Sequence, residues 1–217
     1  MTGRPRVIAV PPASLEEAAA ACAQVIADGE LIVLPTDTVY GLGADPCNER
    51  AIARVYEVKG RPRAMALPVL VASQEDAARL VEGGTPAPVR ALFSRFWPGP
   101  LTVVLARAAV LPAAVTAGGA TVGLRVPASE VGRAIIAACG GALAVTSANV
   151  TAQPPAREVG ELAPELVARV AVVVDAGRCP DGVPSTVVDL TVAPPRILRR
   201  GPVTAEQLRE LLPDIVA

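Results

Sequence analysis

Polar side chains that could do chemistry cluster at the ends of short apolar runs. Thr36, Asp37, Thr38 and Tyr40 follow the run Leu31 to Leu34 and the break at Pro35; Thr146, Ser147 and Asn149 follow Ala142 to Val145; Pro184-Ser185-Thr186 precedes Val187, Val188 and Leu190. Lys59, Arg61, Arg125 and Arg199 add positive charge. Hydroxyls, an amide and several cations brought into one cleft suit a polyphosphate and a carboxylate better than an apolar ligand. The competing reading is local: Thr and Asp bonding their own backbone at an ordinary turn, and Lys59 as a cation favoured by a helix C-terminus. That second reading leaves Arg63 unexplained. Lys59, Arg61 and Arg63 alternate along KGRPR, and an extended backbone there would set all three charges on one side, as a phosphate site would need.

The inventory also excludes. The chain has no histidine, which removes Ser-His-Asp and Cys-His nucleophile systems, imidazole bases and His metal ligands. Cys22, Cys47, Cys139 and Cys179 are dispersed without a C-x-x-C pair, so they read as isolated thiols. Neither G-x-x-x-x-G-K-[ST] nor G-x-G-x-x-G occurs, which argues against the common NTPase and dinucleotide folds. Twenty basic residues against 21 acidic ones leave a net charge of -1, so any anion site is local.

Strands and helices alternate in the pattern that positions such groups. Val7 to Val10 reads as a strand. Ser14 and Glu17 form a capping box for a helix running to Gly29, and Leu31 to Leu34 is a buried strand. Gly41 and Gly43 let the following backbone turn tightly or approach something bulky. Asn48 caps a helix that Gly60 ends. Strands follow at Val69 to Val71, Leu101 to Leu105, Thr121 to Val126, Ala142 to Val145 and Val170 to Val174. Helices start at Ser73 (ending near Gly83), near Pro86, at Ser129 and, through a Thr204–Gln207 box, at the C-terminus. Trp97 before Pro98-Gly99-Pro100 reads as a core anchor, and Arg125, a charge in an apolar strand, requires a partner. The fold class expected is α/β, a single domain over 1–217 with one twisted, mostly open mixed sheet flanked by helices. With no leader and no membrane-length apolar run, a cytoplasmic location is expected.

The segments LPTDTVYGLGADP (34–46), KGRP (59–62), WPGPLTVVL (97–105), TVGLRVP (121–127), TSAN (146–149), PSTVVDLT (184–191) and ILRRGPVT (197–204) strongly resemble, in order, the YrdC-like threonylcarbamoyl-AMP synthase family. The resemblance covers roughly residues 10–212, and the chain looks like the family's short, single-domain form. It implies the conversion of L-threonine, bicarbonate or carbon dioxide, and ATP to threonylcarbamoyl-AMP and pyrophosphate. The product would pass to a tRNA threonylcarbamoyl transferase complex for threonylcarbamoyladenosine at position 37, with a weak tRNA contact as a further possibility. By motif matching, Lys59 and Arg61 are the catalytic candidates; Lys59, Arg61, Thr121, Ser147, Asn149 and Arg199 would bind ATP, with magnesium entering alongside it; Thr38, Arg125 and Ser185 would hold threonine. No protein metal site and no tightly bound organic cofactor is implied. Two positions depart from the family pattern, Met65 standing where relatives often have Asn and Leu70 where they often have His. The alternatives are a non-catalytic RNA-binding module of the same fold and a related carbamoyl-adenylate-forming enzyme acting on another amine.

Overall fold

The computed structural model describes residues 5–11, 13–180 and 182–216. Its strands are β1 (Arg6–Ala9), β2 (Ile32–Leu34), β3 (Gly41–Ala44), β4 (Val69–Val71), β5 (Leu101–Ala106), β6 (Thr121–Arg125), β7 (Ala142–Ser147), β8 (Val172–Asp175), β9 (Thr186–Asp189) and β10 (Arg196–Arg199). They form one ten-stranded mixed sheet in the order β1-β8-β2-β3-β7-β4-β6-β5-β9-β10. The helices are α1 (Leu15–Ala27), α2 (Glu49–Lys59), α3 (Gln74–Arg79), α4 (Ala87–Phe96), α5 (Glu130–Ala138), α6 (Pro164–Val167) and α7 (Ala205–Arg209). This is the α/β architecture expected.

Local chemistry sets the helix ends as the residue types require. Ser14 and Glu17 bond each other's backbone amides at the start of α1, and Thr204 and Gln207 do the same for α7. Asn48 accepts from the amides of Arg50 and Ala51. Gly60 ends α2 in the left-handed region at φ 60°, which glycine enters without steric cost. Trp97 closes α4 as a core anchor: it stacks on Phe93 with ring centroids 3.7 Å apart and donates Nε1–H to Leu101 O at 2.7 Å.

Strand alternation divides the core into two layers. On one face Val33, Leu42, Val69, Val103, Leu124 and Val188 pack under α2, α4, α6 and α7 through residues such as Val55, Leu92, Phe93, Leu166 and Leu208. On the other, α1 and α5 cover Ile8, Ile32, Leu34, Leu70, Leu143, Val145, Val172 and Val174. That second layer takes nothing from β5, β6, β9 or β10, so about half of this face is left without a helix.

Three expectations shift. Gly41 and Gly43 do not turn the chain: they lie in β3, antiparallel to both β2 and β7. Their role is close approach, since a Cβ on Gly41 would stand 2.5 Å from Val145 Cγ1 and one on Gly43 3.1 Å from Leu34 Cδ2. The Ser73-capped helix stops at Arg79, because Val81 leaves it to bridge Arg107. The strand expected from Val170 begins at Val172, after the turn at Ala168 and Arg169 that leaves α6.

Gly201, just after β10, leaves so little room that a Cβ would lie 2.4–2.7 Å from backbone atoms of Pro184, Ser185 and Thr186. Backbone cannot yield as a side-chain tip can, so Gly201→Ala is expected to lower unfolding stability by roughly 1–3 kcal/mol and to shift the Ser185 segment. Urea denaturation of both proteins reads the first effect.

Candidate active site

The uncovered half-face is the floor of a cavity of about 570 Å³. Gly123, Val104, Val187 and Thr102 form that floor, Leu70 and Val145 extend it from the edge of the helix-covered layer, and the walls come from the segments around Thr36–Gly41, Arg61–Pro68, Pro184–Ser185 and Leu198–Arg199. Arg61, Arg125 and Arg199 line it, whereas no Asp or Glu among the described residues does. Such a lining attracts anions. The strand ends named from sequence do converge, but not side by side along one edge. Gly41 pairs with Ser147, while Arg125 and Leu143 both register with Leu70 further down the sheet. Segment 35–40 therefore crosses the open face to bring Thr38 onto Arg125.

That crossing is secured by charge. Arg125, only 5% exposed, donates Nε–H to Gly99 O at 2.9 Å and Nη1–H to Thr38 Oγ1 at 3.1 Å. Its Nη2 lies 2.6 Å from Asp37 Oδ1 but off the N–H axis, so Nη2 and Asp37 Oδ2 both retain unused hydrogen-bonding capacity. Asp37 Oδ1 meanwhile accepts from the Ala128 amide at 3.0 Å. Thr36 stiffens the segment: its hydroxyl donates to Val39 O and accepts from the amides of Thr38 and Val39. The Thr36 hydroxyl also lies 3.0 Å from Thr38 Oγ1; with its own proton on Val39 O it accepts there, so the Thr38 hydroxyl is held between Thr36 and Arg125. Tyr40, expected among the polar lining, turns its hydroxyl away to Gly177 O at 2.7 Å and is a structural group.

Lys59 and Asn149 stand behind the lining, not in it. The Lys59 ammonium, 4% exposed, reaches four oxygens, Ser147 O and Oγ and Asn149 O and Oδ1, at 2.6, 3.1, 3.0 and 2.7 Å. It thereby ties the end of α2 to the end of β7 and presents Ser147, which does line the cavity. Burial, reinforced by the nearby Arg61 charge, lowers the Lys59 pKa to about 8. Arg61 folds back on its own turn, donating to Met65 O and Ala66 O, and burial lowers its proton affinity too. Arg63 does not join them. A turn begins at Arg63 itself, and its side chain is 71% exposed, 3.9 Å from Glu57. Three cations on one side is thus corrected to two, Arg63 being screened by solvent and a carboxylate.

Ser185, 4% exposed, receives Arg199 Nη2–H on Oγ at 3.1 Å and Nε–H on its carbonyl at 3.0 Å, and lies 2.8 Å from Thr102 Oγ1. Burial first, and Arg125 second, lower the pKa of Arg199. Thr121 opens β6 opposite Ala106, on the same strand face as Gly123 and Arg125 but outside the cavity lining. Sequence reasoning named Asp37 without its partner and missed Thr102 altogether; a hydroxyl inside the otherwise aliphatic run Leu101 to Leu105 was the available signal. Met65 and Leu70, the two departures, both line the cavity.

Comparisons with known proteins bear on the family and the fold. The Sua5_yciO_yrdC family model, described as "Telomere recombination", matches residues 24–201. A threonylcarbamoyl-AMP synthase from Pyrococcus abyssi is 37% identical over 190 residues, which cover 88% of this chain and 56% of that protein. A putative threonylcarbamoyl-AMP synthase from Mycobacterium tuberculosis is 41% identical over 184 residues, 85% of this chain and 84% of its own length. The crystal structure of P. abyssi Sua5 complexed with L-threonine superposes with a TM-score of 0.91 at 35% identity, covering 97% of this chain and 62% of that one. The chain therefore spans little more than half of the archaeal protein and most of the mycobacterial one. With a matched model over most of its length and relatives above the identity at which descent is secure, the chain belongs to the Sua5/YciO/YrdC family.

Proposed function

We propose that this chain is an L-threonylcarbamoyl-AMP synthase, a nucleotidyltransferase using L-threonine, bicarbonate or carbon dioxide, and ATP. The observation that carries the reading is a cavity holding three guanidinium groups and no lining carboxylate, in a fold whose close relative binds L-threonine. Threonine's amine takes up carbon dioxide and releases a proton, giving a carbamate. A carbamate oxygen then attacks the α-phosphorus of ATP, the bond from that phosphorus to the bridging oxygen breaks, and pyrophosphate leaves. The nucleophile is already anionic, so an imidazole base is not needed, and positioning with charge neutralisation supplies the catalysis.

Each residue has a place in that scheme. Arg125, whose Nη2 is ion-paired with Asp37 but makes no hydrogen bond, receives the threonine carboxylate beside Thr38 and Ser185. Arg61 and Arg199 face the phosphates, and Lys59, braced by Asn149, holds Ser147 in position to meet them. Magnesium would enter as the ATP complex, keeping its phosphate and water ligands. Product would pass to a tRNA threonylcarbamoyl transferase complex. Among the described residues no helix is long and apolar enough to cross a membrane.

Incubating the pure chain with ATP, L-threonine, bicarbonate and magnesium is expected to yield threonylcarbamoyl-AMP by mass spectrometry, dependent on all three substrates. Salt-sensitive RNA binding without turnover would contradict the assignment. Arg61→Ala is expected to cut pyrophosphate release by about a hundredfold or more while leaving the thermal midpoint close to wild type.

Lys59 adds a pH dependence. With its pKa lowered to about 8, it loses its proton as pH rises from 7 to 9, and ATP affinity without threonine is expected to fall roughly tenfold, the scale of one charge-assisted hydrogen bond. Because the folded pKa lies below the unfolded one, this group favours the folded state as pH rises, so unfolding is not the cause. Calorimetric titration at several pH values checks it, with Lys59→Arg expected to flatten the profile.

A further inference from the structure

Thr102 has no part in the reaction as derived above, yet it is 6% exposed and lines the cavity. Its orientation is held. The methyl group packs on Gly123, where a Cβ would come 3.2 Å from Thr102 Cγ2, and a β-branched side chain has few alternatives at χ1. The hydroxyl is thereby directed to Ser185, 2.8 Å away.

Counting protons shows what the pair offers. A guanidinium can only donate, so Ser185 Oγ accepts from Arg199 Nη2 at 3.1 Å. The Thr102–Ser185 contact uses one of the two hydroxyl protons, whichever group donates. The other proton has no acceptor among the described residues, and buried hydroxyls are normally satisfied. Arg199 Nη1 likewise has no partner among the described residues, and Arg125 is close enough for its charge to act on Arg199. One directed O–H beside two cations asks for a small oxyanion.

We propose that Thr102 is a substrate-contacting residue: the Thr102–Ser185 pair donates its spare hydrogen bond to one oxygen of a planar carbon oxyanion held between Arg125 and Arg199. Two sources share that chemistry, the amino acid's carboxylate and bicarbonate, and only the choice of these two rests on the synthase reading.

The test is direct binding, independent of turnover. Affinities for [13C]bicarbonate, by carbon NMR line broadening, and for L-threonine, by saturation transfer, are measured for wild type, Thr102→Val and Thr102→Ser, with ATP titrated in parallel. Thr102→Val keeps the shape and removes the hydroxyl. It is expected to weaken one of the two oxyanions by about tenfold or more, with ATP affinity changed by less than about twofold and Thr102→Ser restoring binding. Selective loss of bicarbonate identifies that source, and selective loss of threonine identifies the carboxylate. The inference is overturned if Thr102→Val binds both as wild type does, if all three ligands weaken alike, or if the wild type binds neither oxyanion. Absence of threonylcarbamoyl-AMP from the wild-type reaction would sink the synthase assignment alone, leaving the binding data to decide on Thr102.

Discussion

A guanidinium removed from water must be compensated, and Arg125 is compensated by groups that have no other reason to meet. Gly99 O comes from the turn after Trp97, Thr38 Oγ1 and Asp37 from the segment that crosses the sheet. A buried ion pair adds little net stability against an apolar alternative, but losing one partner leaves a charge stranded, at a cost of roughly 3–5 kcal/mol. The pair therefore acts as a registry device: the chain between β2 and β3 has one low-energy path, over the open face and onto β6. Everything that makes the cavity a cavity, its roof, its oriented hydroxyls and its exclusion of carboxylates from the lining, depends on that path.

The sheet supplies the remaining constraint. A ten-stranded sheet presents more apolar face than two helices can cover, and α1 with α5 shield only the part built from β1, β8, β2, β7 and β4. The opposite layer is closed by α2, α4, α6 and α7. The exposed remainder is held dry from below and open from above, and glycines at positions 41 and 123 keep its floor low. Charges placed on the rim of such a surface act through a less polar medium than water, which strengthens their hold on anions.

Features set by neighbours in the chain were legible from the residues. The Ser14–Glu17 and Thr204–Gln207 boxes, the Asn48 cap and the Gly60 stop involve contacts within one turn, and each formed as its residue types require. Arg125 could be recognised as a charge needing a partner, because burial in an apolar strand is a local property. That the partner would be Asp37 was not legible, since it depends on a crossing over the sheet that no local pattern encodes. For Gly41 and Gly43 both a tight turn and a close approach were open, and only the pairing of β3 with β2 and β7 decides for close packing against Val145 and Leu34. Alternation along KGRPR overstated the cationic group because it assumed extended backbone throughout, and the turn that begins at Arg63 leaves that side chain in solvent. Burial of Lys59 behind Ser147 likewise follows from α2 packing on β3, the neighbour of β7, not from sequence spacing.

The central claim is that the cavity grips an amino acid by its carboxylate through the buried guanidinium. Calorimetric titration of L-threonine and of its carboxamide, each into ATP-bound protein, isolates that contact by changing the ligand and nothing in the chain. Removing the ligand's charge opposite Arg125 is expected to weaken binding by about a hundredfold, the scale of a lost charge-assisted pair in a desolvated site. Equal affinities for the acid and the amide would contradict the claim.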